Sequence, residues 1–561
     1  MTRKSALLVM AGLTAIFSLL ALRQADNDSP TFDEPVNVAA GVTYLTRHDL
    51  RMNLEHPPLA KAIEALPVLL AHPEIPSGET WDADGQPNFV FDFYQQNADR
   101  IHRITFLSRL VGIAMAAGTG WLLYAIGGHI ASRRAGVIAA GLWLTTPLVL
   151  GYAHLDSLDI PFALVAAAAA LLAIRYVERP TLWRAAAVGG VAGAALLVRT
   201  TGLILVPVLA LAVLFASGWR PDRKAAGRAL LVLVLAWATL WVGYRGLSPN
   251  PSAQARAQYD RFIHCPANCP APTIVDRALE IVPVPIEFRA GTRKQGILSG
   301  VPKGGFMFGH HVVGSTWWFW PLGLLVKLSF PALLAIAIAP FGWLVARAYR
   351  RAVVLALVVP CVAIALATVL QAPPAGVRYL LPVVALALPG AAIAVDRLLD
   401  LNRWWLFAPL AMLAVGQGAA LADAANHSLA WTDWPFRPGY RWVADSNLDW
   451  AQDVDDLRSW ARDHPAWVAV DTDLIRIDPI PGSTPLRGAD LTKVDGWVAI
   501  EASTLLLDAR DEFSWLRAYC AVGDIDGTVL LYNLQSSPDT RPGPEQPVGP
   551  CTGRQFSERR G

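Results

Sequence analysis

The sequence predicts a polytopic α-helical membrane protein with a small α/β domain at its C-terminal end, and three observations carry that reading. Of its 561 residues 54% are hydrophobic and only 16% charged, where soluble chains carry about a quarter charged. Apolar stretches of the length needed to cross a hydrocarbon core recur as far as residue 422. Residues 423–561 lose that pattern and alternate short apolar runs with turn residues.

Taken in order, the apolar stretches cover residues 6–22, 104–127, 136–152, 159–177, 184–198, 201–218, 229–247, 318–346, 352–370, 379–395 and 404–422, which makes eleven expected spans. Arg199-Thr200-Thr201 separates two short ones that form either a broken helix or a tight hairpin. Counting them as two leaves every inner connection short and basic. These connections hold Arg3-Lys4, then Arg133-Arg134, then Arg175, Arg179 and Arg184, then Arg220 to Arg228, then Arg347 to Arg351, and finally Arg397 and Arg403. That meets the positive-inside rule with the N-terminus inside, whereas removing one span inverts every later loop. The first stretch also fits a cleaved signal peptide, but it is long for one and Arg23 stands where small residues precede a cleavage site.

This topology puts residues 23–103, the turn His154 to Asp159, the loop 248–317 and the tail on the outer face. Amphipathic patterns at Val36 to Leu45 and Leu59 to Leu70 predict helices lying in the interface plane. The tail is expected to hold a helix from Trp450 to Arg462, strands at 467–470, 497–500 and within 518–534, and a terminal hairpin turning at Asp526-Gly527. The domains are thus 1–422 in the membrane and 423–561 outside it. Cys265 and Cys269 share one outer loop, Cys520 and Cys551 share the tail, and Cys361 is in a span. Local pairs of this kind suit disulfides, with a metal at Cys265 and Cys269 or free thiols as the alternatives.

With 47 basic and 45 acidic residues the net charge is +2, which provides no global field for nucleic acid. Where the charges sit matters more. Thr31-Phe32-Asp33-Glu34-Pro35 sets two adjacent carboxylates at the rim of the first span, and Leu54-Glu55-His56-Pro57-Pro58-Leu59-Ala60-Lys61 follows in the same loop. A charge beside low-dielectric surroundings needs a partner or a task. A carboxylate here suits a general base for a hydroxyl acceptor, while His56, Lys61 and Arg378 supply positive charge for a phosphate leaving group. For each residue alone, a helix cap or a snorkelling cation is the competing explanation.

Phe32-Asp33-Glu34 with Leu54-Glu55-His56-Pro57-Pro58-Leu59-x-Lys61 resembles the first-loop signature of the protein O-mannosyltransferases, glycosyltransferase family 39 of the GT-C superfamily. Three further stretches match: Gly309 to Pro321 leading to Lys327, Gly376-Val377-Arg378-Tyr379-Leu380-Leu381-Pro382, and Ser446-Asn447-Leu448-Asp449-Trp450-Ala451-Gln452-Asp453, the last typical of bacterial members with a soluble tail. The resemblance implies the GT-C glycosyltransferase fold. It also implies an inverting enzyme of the bacterial inner membrane that moves a sugar, mannose being the commonest, from a polyprenyl-phosphate carrier to an extracytoplasmic hydroxyl on protein, lipid or polysaccharide. Inversion needs one base, whereas retention needs a second carboxylate as nucleophile.

Carried over by position, Asp33 matches the catalytic acid of the family with Glu34 beside it. Glu55 and His56 match donor or metal contacts in the related aminoarabinose lipid A transferases, and Asp156 matches a further acidic position. The chain departs from eukaryotic members at Asn37, where they have histidine, and loop 248–317 is too short for their inserted lumenal domain. No cofactor is required by the resemblance, although a divalent metal stays open. Glu55, Asp156, Asp159, His154, His310 and His311 are hard or borderline ligands without a diagnostic spacing. A His pair entering an aromatic-rich span, as at His310-His311, is more often interfacial packing than a ligand set, and Lys327 either snorkels or meets the donor phosphate. The competing class is a transporter or flippase of a lipid-linked sugar, but such proteins place their charges at the bilayer midplane.

Overall fold

The structure is a computed structural model that describes residues 1–534 apart from 83–85, 266–268, 315 and 509. Each of the eleven apolar stretches is helical. Seven helices among the described residues are long and apolar enough to cross a membrane: Arg3–Asn27, Ala98–Ile130, Asp159–Glu178, Arg223–Leu247, Arg347–Gln371, Val377–Asp400 and Trp404–Asp423. An eighth span exists if Arg133–Leu144 and Pro147–Ala153, bent by 62° at Thr145-Thr146, count as one. The other expected spans are the shorter helices Leu182–Val198, Gly202–Leu214 and Phe330–Val345. The reasons are local: Arg199-Thr200-Thr201 ends one helix and starts the next, and Leu328-Ser329 with Pro331 divides the 318–346 run.

Lipid tails are as apolar as leucine, so the bundle is held by close packing rather than by water exclusion. A Cβ at Gly342 would lie 1.8 Å from the carbonyl oxygen of Gly390, and one at Gly193 would lie 2.4 Å from the Thr239 side chain. Glycine therefore lets these helix pairs touch backbone to backbone. The helix Arg3–Asn27 packs into the same core through Phe17, Ala21 and Ala25.

The two helices expected to lie in the interface plane, Glu34–Thr46 and Leu59–Ala65, are instead largely buried. They form a second apolar cluster with Phe89, Phe93 and Tyr94 of Gln86–Gln96 and with Tyr244 and Phe288. The charged residues Glu34, Lys61 and Glu64 of these helices are likewise buried within the protein. Cys265 and Cys269 form a disulfide, while Cys551 lies outside the described residues.

Beyond Asp423 the chain builds a mixed five-stranded sheet in the order β4-β3-β5-β7-β6, where β3 is Ala466–Ala469, β4 Ser483–Pro485, β5 Trp497–Glu501, β6 Gly523–Ile525 and β7 Val529–Asn533. β3 runs parallel to β4 and β5, and β7 runs antiparallel to β5 and β6. Asp526 and Gly527 turn the β6–β7 hairpin at φ of 52° and 74°, the left-handed pair such a turn requires. A separate two-stranded hairpin, β1 Gly304–Met307 with β2 His310–Val313, lies in the 248–317 loop.

Candidate active site

The Asp33 loop, the Asn53 to His56 loop, the turn before Asp159–Glu178, the break at Arg199 and the turn at Arg378 all converge on one cavity of about 190 Å³. Sequence-chosen residues in its wall are Asp33, Glu55, His56, Asp156, Asp159 and Arg378. Arg199 and Tyr379 join them.

Arg378 is the hub of this wall. Its Nη2 lies 3.4 Å from Asp33 Oδ2 and its Nε 3.7 Å from Asp159 Oδ2, while Arg199 is ion-paired to the other oxygen of Asp159. The Arg378 guanidinium stacks 4.0 Å above the Trp450 ring, and Arg199 sits 4.7 Å from the Tyr379 ring. Arg378 Nε is buried and takes part in no hydrogen bond. A buried guanidinium donor without a hydrogen bond, in a cavity wall, is a place for an anion. Asp33, by contrast, keeps 43% of its side chain exposed.

Glu34 does something else. Its carboxylate, 1% exposed, receives Arg109 Nε at 2.8 Å and Nη2 at 2.7 Å together with the backbone amides of Thr31 and Asp156, each at 2.8 Å. Burial alone would raise its pKa, but Arg109 and these hydrogen bonds hold it below the ordinary carboxylate range. Arg109 Nη1 donates to the carbonyls of Ala25 and Asp28, and Nη2 donates also to that of Ser29. Glu34, expected beside Asp33 in catalysis, is therefore outside the cavity wall and locks the Asp33 loop and the Asp156 turn to one helix.

Several cations expected at the donor phosphate are also occupied elsewhere. Lys61 Nζ donates to the carbonyls of Asn53 at 3.1 Å and His56 at 3.0 Å, so it holds the loop bearing Glu55. Lys327 Nζ donates to Leu429 O at 2.6 Å and to Trp431 O, pinning the segment after the last long helix. His56 does face the cavity, but burial and the neighbouring Arg199, Lys61 and Arg378 keep its imidazole well below the usual pKa, hence neutral. His154 faces Asp28 Oδ2 and Leu150 O, both at 2.8 Å, outside the wall. His310 is exposed on β2. Asp156, in the wall, and Glu64, outside it, are both buried; burial raises both carboxyls, Asp156 to about 7, with repulsion from Asp156 adding at Glu64 and repulsion from Glu34 adding at Asp156.

The tail motif closes the arrangement. Trp450 O accepts from Phe32 N at 3.0 Å and Gln452 O from Ser29 N at 2.8 Å. Asn447 Oδ1 accepts from Val377 N at 2.9 Å, and Ser446 Oγ donates to Ala375 O at 2.7 Å. One short segment thus grips both the Asp33 loop and the Arg378 turn. Sequence reasoning missed Arg199, Tyr379 and Trp450 as site residues; the signal for Arg199 was a charge interrupting an apolar run.

Of the cavity carboxylates, Asp33, Asp159 and Glu55 are each matched by a cation, Glu55 by Lys294 at 3.2 Å. Convergent metal-type ligands occur elsewhere, at His427, Asp453 and Asp526, whose ligand atoms lie within 4.8 Å of one another.

Residues 100–242 match the family model described as dolichyl-phosphate-mannose-protein mannosyltransferase. No curated protein matches the chain. Among solved structures, the apo oligosaccharyltransferase of Archaeoglobus fulgidus is similar at 15% identity and a TM-score of 0.43, over 81% of this chain and 58% of that one. The chain therefore spans less than two thirds of that protein. ArnT of Cupriavidus metallidurans in the apo state is similar at 13% identity and a TM-score of 0.44, over 93% of this chain and 97% of that one. The Saccharomyces cerevisiae protein O-mannosyltransferase Pmt1–Pmt2 complex bound to the sugar donor gives 18%, 0.36, 48% and 38%.

Proposed function

We propose that this protein is an integral membrane inverting glycosyltransferase that takes a sugar from a polyprenyl-phosphate carrier and places it on an acceptor hydroxyl. The observation that carries the reading is the pairing, in one small cavity, of a half-exposed carboxylate with a buried guanidinium whose Nε makes no hydrogen bond. The match of residues 100–242 to a family named for a polyprenyl-phosphate sugar supports that donor class and makes mannose the sugar to try first. The cavity opens among helix ends and loops rather than midway along the helices, which favours surface chemistry over transport.

In the reaction Asp33 accepts the proton of the acceptor hydroxyl as its oxygen attacks the anomeric carbon. The bond from that carbon to the phosphate oxygen breaks on the opposite face, and the configuration inverts. Arg378, with Arg199 beside it, neutralises the departing phosphate; a guanidinium fits two phosphate oxygens at once. Neutral His56 offers the sugar a hydrogen bond rather than a charge. Glu34 and Lys61 are positioning residues, holding the loops that bear Asp33 and Glu55.

The test is incubation of membranes from expressing and deleted cells with labelled polyprenyl-phosphate mannose and other sugars, followed by separation into protein, glycolipid and polysaccharide. Label that enters one fraction only when the protein is present, and stays out when it carries Asp33→Asn, supports the reading and names the acceptor. Equal labelling with the parent and with Asp33→Asn overturns the assignment of the base.

A further inference from the structure

The helix Asp159–Glu178 begins at the cavity and ends, one membrane thickness away, at a second and larger one of about 850 Å³. Where the first wall mixes both signs of charge, this one is dominated by guanidinium groups. Arg175, Arg179, Arg184 and Arg351 line it, and the lining carboxylate, Glu178, is engaged by His129 Nε2 at 2.7 Å.

Among the described residues no carboxylate pairs with any of these four arginines. Arg184 Nη1 donates to the carbonyls of Arg175 and Arg179, and Arg351 Nη1 to Ala216 O at 3.3 Å. These bonds fix two guanidiniums through one nitrogen each and leave the rest of each fork unoccupied. Arg175, Arg179 and Arg351 are exposed. A tether to a carbonyl sets position without neutralising charge, so the four positive groups stay confined around one hollow. Scattered loop arginines satisfy the positive-inside rule without such convergence.

The depth of the hollow is marked independently. Trp183, in the first turn of Leu182–Val198, is 84% exposed, and Trp219, just past Gly202–Leu214, is 68% exposed. Large exposed indoles at helix ends belong at headgroup level. Val177, Ala216 and Ala348 supply apolar wall between the charges, as suits a ligand whose phosphate is charged and whose remainder is hydrocarbon. We infer that this pocket binds the headgroup of an anionic phospholipid, its phosphate held by the Arg175–Arg179–Arg351 forks.

The test uses the purified full-length protein, delipidated in detergent and titrated with phosphatidylglycerol, cardiolipin, phosphatidylcholine, polyprenyl phosphate or inorganic phosphate, with bound lipid counted by native mass spectrometry. The anionic phospholipids are expected to bind at least tenfold more tightly than phosphatidylcholine. Arg179→Gln with Arg351→Gln should remove that preference, while Arg179→Lys with Arg351→Lys keeps most of it. Size-exclusion profile and transfer of labelled sugar serve as the measures of an intact fold. Unchanged binding by the glutamine variant overturns the inference, as does loss of binding in the glutamine and lysine variants alike. Saturation by inorganic phosphate at the same affinity makes it a free-phosphate site, and a preference for polyprenyl phosphate makes it a carrier site; either result overturns the phospholipid assignment.

Discussion

The open wall of the candidate active-site cavity and the dry layer behind it use the same residue types to opposite ends. In the wall, Asp33 keeps a long 3.4 Å contact to Arg378 and much of its surface. One residue on, Glu34 sits in the dry layer, bound at 2.7–2.8 Å by Arg109 and two amides. A loose ion pair leaves its carboxylate able to take a proton and its guanidinium able to take a phosphate. A saturated one stabilises only while it stays whole, because neither partner can return to water. Which of two adjacent acids is left free to act as the proposed base is thus decided by how many donors each has been given.

The largest effect should come from breaking the saturated pair. Glu34→Ala leaves Arg109 buried without its carboxylate and is expected to cost about 3–5 kcal/mol, seen as a lost or sharply lowered thermal midpoint and poor recovery of monodisperse protein. A variant as stable as the parent would show that the two layers do not differ as described. Next comes Asp33→Asn, which should lower sugar transfer by about two orders of magnitude or more with the thermal midpoint nearly unchanged. If stability fell together with activity, Asp33 would belong to the dry layer instead.

Arg378→Ala sharpens the role of the wall. It should raise the donor KM by roughly tenfold, about 1.4 kcal/mol, with a smaller change for the acceptor; equal losses toward both would mark a folding role. The smallest effect is in pH dependence. The raised pKa of the Asp156–Glu64 pair means that its contribution to stability is present below the ordinary carboxylate range and fades as pH rises toward and beyond 7. Glu64→Gln removes the repulsion, so its thermal midpoint should fall less than the parent's between pH 5 and pH 8. Parallel curves for the two proteins would show that the pair is not the source.

Much of the candidate site was legible in the chain because its motifs are local: Asp33, Glu55, His56, Asp156, Asp159 and Arg378 all line the cavity. The roles of Lys61 and Lys327 were not, since a lysine that reaches a phosphate and one that reaches a backbone carbonyl look alike in sequence. Arg199 was legible only as an interruption, because its significance depends on which loop faces the break. Trp450 was visible within a motif, but its place above Arg378 rests on the tail folding back over the Asp33 loop.

What the sequence determined by itself was the membrane class, the helical character of every apolar stretch, the terminal hairpin at Asp526-Gly527 and the short list of polar groups from which a site could be made. These follow from composition, periodicity and turn stereochemistry, each of which is a property of neighbouring residues. The tertiary structure alone decided that Glu34 is buried and Asp33 open, that burial among cations lowers the His56 pKa, and that arginines from separate turns share one hollow at the far end of the Asp159–Glu178 helix. Burial, desolvation and pairing depend on groups distant in the chain, so no local pattern can encode them.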